Sequence, residues 1–378
     1  MGAIQADPDP RRTIAMTKTA GHTRNRKLIW AGGAVAATVV ALSAMDGTAI
    51  QASPQEYRIA GSHVAVYNLA GEVSVVPATG SDVVVTVNAR GADAEALTVE
   101  SGEIRGVQTL RVRYPSDRVV YSDMGGNSRT QVRVRGDGTF GHGGFSRGER
   151  VDIRSSGSGL EAWADLTVAV PPGQRFSLYL GAGATEARNV AGDLELDTQS
   201  GSIESEGTSG SLSIDTGSGS VRVAGANGDL DVDTGSGQVT LDGVAGERVL
   251  VDTGSGSVHA SDIRSESVEV DTGSGRITLL AVEAPDIMLD TGSGSVEVDL
   301  VADVERLEVD TGSGGVTLRV PGDLGAQMEV DTGSGRIDVE VPIDESTRRR
   351  TYLRGIIGDG RGSIVVDTGS GSIRVLGR

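Results

Sequence analysis

The residues best placed to do chemistry are the aspartates of one five-residue string, Asp-Thr-Gly-Ser-Gly. It occurs eight times, with its Asp at Asp215, Asp233, Asp252, Asp271, Asp290, Asp310, Asp331 and Asp367, and a variant copy, Asp-Thr-Gln-Ser-Gly, begins at Asp197. Two carboxylates facing each other at about 3 Å share one proton and can activate water for hydrolysis. That chemistry needs a pair of strings on opposed loops of a bilobal fold. Copies that recur every 18 to 21 residues, with one final gap of 36, are a structural turn instead. A repeat coupling Gly to Asp also suits calcium-binding turns, but Ca2+ takes six to eight oxygens and each turn here offers one Asp. The expectation is no catalytic residue and no cofactor. Loose Ca2+ association along Asp215, Asp233, Asp252, Asp271, Asp290, Asp310 and Asp331 is the metal chemistry open to the chain.

Other candidates are thinner. His22, His63, His142 and His259 lack the paired spacing of a zinc site. Arg135-Gly136-Asp137 spells the integrin-recognition tripeptide in a chain rich in all three residues, and Arg348-Arg349-Arg350 reads as a solvated basic run. There is no Cys, so neither a disulfide nor a lipid-modified cysteine is available.

Around each Asp, taken as position zero, positions −3 and −1 are apolar in every copy, from Leu194/Leu196 to Ile364/Val366. Positions +6 and +8 are apolar too, as in Val239/Leu241 and Ile337/Val339, with Ser205 and Ala260 as the exceptions. Two runs of period-two alternation rich in β-branched residues predict two half-buried strands per repeat. The Gly-Ser-Gly between them is expected to turn through positive φ. One repeat buries too little to fold alone, so equivalent strands of successive repeats should pair in parallel. The fold class predicted is all-β, a parallel β-solenoid (β-helix) of about 19-residue, two-strand coils. Parity puts Asp outward and Thr inward. In-register carboxylates one strand spacing of about 4.8 Å apart would repel by roughly 1 kcal/mol in water. Amides of the Gly and Ser residues in each turn are expected to stabilise them first, with raised pKa values and bound cations as the other compensations.

From its start, the chain reads as a disordered basic segment, 1–27, then an uncharged apolar stretch, 28–45, and a linker, 46–55. A basic flank before an apolar stretch predicts a signal peptide or transmembrane signal-anchor helix, hence an extracytoplasmic protein: membrane-anchored, periplasmic or at the cell surface. Residues 56–190 read as irregular N-terminal β coils carrying a mobile Gly/Arg/Ser-rich loop at 116–159. Residues 191–378 read as the regular array, with an insertion at 343–360 expected to help cover its C-terminal end. From Val190 onward there are 34 acidic and 14 basic residues, net −20, against net +2 before it. An acidic array disfavours nucleic acid and anionic membrane as partners.

Three stretches carry a family resemblance: Gly192-Asp193-Leu194-Glu195-Leu196-Asp197-Thr198, the repeated Asp-Thr-Gly-Ser-Gly-Ser-Val, and Gly159 to Gly173 with its Pro171-Pro172-Gly173 end. Over roughly 55–378 the chain resembles the bacterial β-strand-repeat adhesin family. The resemblance implies an exported β-helix domain and assigns no catalytic or binding residue. The function expected is a non-enzymatic cell-envelope scaffold or adhesin contacting envelope or surface components, glycan or protein. The alternative is a polysaccharide-binding or carbohydrate-active β-helix, which aromatics at 3% of residues disfavour.

Overall fold

The computed structural model describes residues 53–141 and 148–378. The apolar stretch at 28–45 lies outside them, as do the segments 1–27 and 46–52. Among the described residues no helix is long and apolar enough to cross a membrane. The described residues are all-β, with 28 strands joined in one hydrogen-bonded network and three more in a small separate sheet.

In the array each Asp-Thr pair closes one strand, and a second strand follows the Gly-Ser-Gly. Leu230–Thr234 and Val239–Asp242 are one such pair. Equivalent strands pair in parallel and in register, with one shift between Leu279 and Val282: Leu212 faces Leu230, Asp215 faces Asp233, and Val221 faces Val239. The register stacks the inward residues into continuous columns that form a single apolar core. Both exceptions to the apolar pattern are buried as well. Ala260 is simply small, and the Ser205 hydroxyl lies 3.2 Å from that of Thr208.

Stacking order departs from sequence order. Arg306–Thr311 pairs with Gly362–Thr368, which in turn pairs with Ala326–Thr332, so the repeat around Asp367 sits between those around Asp310 and Asp331. The second strands agree, since Ile373–Gly377 lies between Val316–Val320 and Ile337–Val339. The 36-residue spacing therefore marks a reversal. After Ala326–Thr332 the chain forms a hairpin, Asp344–Arg348 and Tyr352–Ile357, whose second strand pairs antiparallel with Ala326–Thr332. It then returns to fill the slot beneath. The hairpin covers the outermost repeat, burying Leu353 and Ile357, and presents a polar outer strand, Asp-Glu-Ser-Thr-Arg. Charged, polar edges discourage pairing between molecules.

The N-terminal end is built alike. His63–Ala70 and Val73–Pro77 lie between the 174–188 repeat and an outer layer made of Val107–Arg113 and Trp163–Val170. Antiparallel strands then close the end: Thr98–Ile104 on one face, Val83–Arg90 and Gln55–Ile59 on the other.

Residues 116–159, expected as a mobile loop, instead carry a three-stranded sheet of Arg118–Val120, Arg129–Val134 and Glu149–Arg154. Its core contains Val119, Tyr121, Val132, Phe140, Val151 and Ile153, and borrows Leu69, Ala70 and Ala182 from the array. The borrowed residues are what make so small a sheet worth ordering, because three short strands cannot bury enough surface alone.

Candidate functional site

The repeated turn is where sequence and chemistry meet, and in most copies its Thr hydroxyl is a centre of hydrogen bonding. The nine threonines from Thr198 to Thr368 are buried. In most turns the Thr hydroxyl accepts from the amide of the second Gly, as in Gly294 N to Thr291 Oγ1 at 3.0 Å, and donates to a carbonyl of the adjacent repeat, as in Thr291 Oγ1 to Gly275 O at 3.0 Å. The first Gly donates to a Thr carbonyl of the neighbouring repeat, as in Gly235 to Thr216 at 3.0 Å. The Gly amides were among those expected to serve the carboxylates; the first Gly holds one turn on the next, and the second closes its own turn on Thr. The expected positive φ is also absent from most of these glycines. Gly237, Gly256, Gly275 and Gly294 keep ordinary backbone angles and are glycines because the neighbouring repeat is too close for a Cβ.

With the turns so tied, the carboxylates stack outward. Every candidate from Asp215 to Asp331 lies in one column, and the register adds Asp197 at one end and inserts Asp367 between Asp310 and Asp331. Tyrosines flank it: Tyr179 faces Asp197, and Tyr352 faces Asp331. Asp252, Asp271, Asp290, Asp310, Asp331 and Asp367 join no ion pair among the described residues. Partial burial, and then the flanking Asp271 and Asp310, push the Asp290 carboxyl above its usual value of 3.8. Asp367 is raised in the same way, by partial burial and then by Asp310 and Asp331. Among the described residues no three His, Asp or Glu side chains are gathered as metal ligands.

A raised folded-state value means that stability is fullest below about pH 3.8 and is lost as pH rises through the raised values. At neutral pH the column therefore costs stability. Replacing Asp290 and Asp367 together by Asn is expected to raise the melting temperature at pH 7 and to flatten its rise on acidification. Each neighbour relieved contributes about 1 kcal/mol or less, since salt screens exposed charges. Melting curves in chelator, in millimolar calcium chloride and in sodium chloride of equal ionic strength complete the test. Equal shifts mean screening, and a larger calcium shift means loose cation sites. If neither the salts nor the variant shifts the melt, the column carries no net repulsion.

A second constellation joins residues far apart in sequence. His63 Nε2 lies 2.9 Å from Ser177 Oγ, which donates to Glu195 Oε2 at 2.8 Å, and Tyr179 donates to Glu195 Oε1 at 2.9 Å. Burial and then Arg175 lower the His63 value. The three residue types of a hydrolase triad are present, but not their connectivity. Ser177 gives its proton to Glu195, so imidazole cannot act as its base, and Ser177 is wholly buried. The cluster ties adjacent strands together. Only the three-dimensional pairing of 63–70, 174–182 and 192–198 could have revealed it.

The remaining sequence candidates are structural or solvated. Asp137 accepts from the Thr139 amide at 3.0 Å and hydroxyl at 2.7 Å, and Arg111 donates to its carbonyl at 2.7 Å, so the Arg-Gly-Asp tripeptide is folded into a turn. His22 and His142 lie outside the described residues. His259 sits beside Thr240 and Thr278 in its row of the sheet.

Residues 192–376 match the Toastrack DUF4097 family. No curated protein matches the chain. Among solved structures the chain is similar to one from Clostridium sporogenes ATCC 15579 described as a "putative cell adhesion protein", at 10% identity and a TM-score of 0.18, over 86% of this chain and 100% of that one. A likeness at that score carries no structural argument. The matched span, 192–376, is the regular array with its repeated turn, and in it the chain is similar to the Toastrack DUF4097 family.

Proposed function

We propose that the chain is an exported, non-enzymatic β-solenoid of about 19-residue, two-strand coils that works as a scaffold or adhesive surface of the cell envelope. One observation supports this most. The register repeats one outward carboxylate, that of the turn Asp, at each of these steps along the stack, which suits an extended surface or polymer gripped at many points. A lyase or glycosidase needs an acid and a base converging on one bond. The turn carboxylates are instead spread along a column, and in the His63–Ser177–Glu195 cluster the hydroxyl is buried and donates to the carboxylate. The basic flank and apolar stretch ending at Met45 support the extracytoplasmic location, with the segment serving as signal peptide or anchor. A glycan array run beside a turnover assay, on the full chain, tests the reading. Binding of glycan or envelope protein without turnover is expected, and turnover of any glycan overturns it.

A further inference from the structure

Of the 14 arginines beyond Val190, six make no ion pair among the described residues: Arg276, Arg336, Arg349, Arg350, Arg354 and Arg374. Four of the six meet along one edge of the C-terminal repeats. Arg336, Arg350 and Arg374 line an open groove with Ser334, Ser370 and Ser372, and the groove has a volume of about 670 Å3. A second groove of about 300 Å3 holds Arg276 and Ser295 and shares Ser372 and Arg374 with the first. The two form a continuous trough.

Backbone hydrogen bonds fix its direction. Ile277 donates to Ser295, Val296 to Gly315, Val316 to Ser372, and Ile373 to Arg336. The residues following the turns thus stack in the order Arg276, Ser295, Gly315, Ser372, Arg336, along the long axis of the stack. Four strand spacings separate its ends, roughly 19 Å. Thr317, Arg374 and Asp338 form the row beside it. Two carboxylates border the trough: Asp338, and Glu297, which Arg319 already binds at 2.5 Å.

Guanidinium groups left unpaired in an array of net −20 are unusual, because carboxylates are available almost everywhere else on its surface. We infer that this trough binds an anionic polysaccharide lying along the stack, its carboxylate or sulfate groups held by Arg276, Arg336, Arg350 and Arg374 and its hydroxyls by the serines. Guanidinium matches such oxyanions through paired N–H donors. The lining has no aromatic side chain, so recognition goes through charge and hydrogen bonds rather than through stacking on a sugar face. The same lack disfavours single-stranded nucleic acid, which needs stacking platforms, and the surrounding carboxylates disfavour a polyphosphate chain.

The inference names a ligand class for the adhesive reading above and rests on it. The probes are immobilised heparin for sulfate, polygalacturonate for carboxylate and dextran as the neutral control, each presented to the full-length chain across a salt series. Heparin or polygalacturonate should be retained at low salt and released as salt rises, with dextran unbound; which of the two is held more tightly identifies the anionic group. Arg336→Gln combined with Arg374→Gln should weaken retention about tenfold or more without moving the melting temperature, since both side chains are unpaired at the surface. Arg264→Gln, which breaks a pair with Glu283 elsewhere, should leave retention unchanged. Unaltered retention by the double variant, equal retention on dextran, or complete displacement by an equal mass of single-stranded oligonucleotide would overturn the trough. None of these results touches the non-enzymatic reading, which only turnover removes.

Discussion

Gly294→Ala is expected to destabilise the array by about 3–5 kcal/mol, at the upper end for a single substitution. A Cβ at Gly294 would stand 1.7 Å from the Gly275 carbonyl oxygen and 2.7 Å from Thr291 Oγ1. The first of these is backbone, held in the next repeat, and no side-chain rotation relieves it. The stack must open at that step, breaking the Gly294 to Thr291 and Thr291 to Gly275 hydrogen bonds that close it. Backbone angles play no part, because Gly294 is not in the left-handed region. Thr291→Val provides the graded comparison. It keeps the shape but leaves the buried Gly294 amide without its acceptor, at about 1–3 kcal/mol. Ser293→Ala, at the exposed tip of the same turn, should change stability by no more than about 0.5 kcal/mol. Urea unfolding gives the order, and hydrogen exchange gives the place. In a stack where each repeat touches only its neighbours, protection should fall first between 275 and 314. A Gly294→Ala protein as stable as the Ser293→Ala protein would remove the inter-repeat contact from the account.

The same turn marks what could be read from the sequence and what could not. Inward and outward positions were legible because a strand has period two, and nine copies of one pattern leave a single consistent parity. Thr inward and Asp outward followed from that parity alone. The role of each glycine did not, since a glycine needed for positive φ and one needed for close approach look alike until the neighbouring backbone is in place. Stacking order was hidden for a related reason. The repeats around Asp310, Asp331 and Asp367 present apolar residues at the same inward positions, so the pattern does not order them, and only the path of the chain through the 344–357 hairpin decides. The small sheet was concealed by its dependence on Leu69, Ala70 and Ala182, which lie far from its strands in sequence. His63, Ser177 and Glu195 span 132 residues, and no spacing rule joins them.

Interleaving leads to an unusual truncation result: a chain cut after Ile357 should be less ordered at its C-terminal end than a shorter chain cut after Val320. The longer one loses Gly362–Thr368 and Ile373–Gly377 from the middle of the stack, and with them Ile364, Val366, Ile373 and Val375, all essentially inaccessible to solvent. At about 1.5–3 kcal/mol for each fully buried aliphatic side chain, the gross apolar loss is on the order of 6–12 kcal/mol, an upper figure because unfolded chains bury some of that surface. Arg306–Thr311 and Ala326–Thr332 are left facing an empty slot with their ladder hydrogen bonds unmade. The shorter chain exposes one ordinary edge and strands nothing beyond it. Hydrogen exchange should show residues 326–357 unprotected in the longer chain, while the shorter one keeps its protection through Arg306–Thr311. A synthetic peptide of residues 360–378 should restore protection to the longer chain, since it supplies both missing strands in their own register. The competing outcome is that 326–339 moves inward and pairs directly with 306–320, as repeats of equal shape could. The longer chain would then stay protected at Ala326–Thr332 and ignore the peptide, and the final repeat would be a filler of the stack rather than its lock.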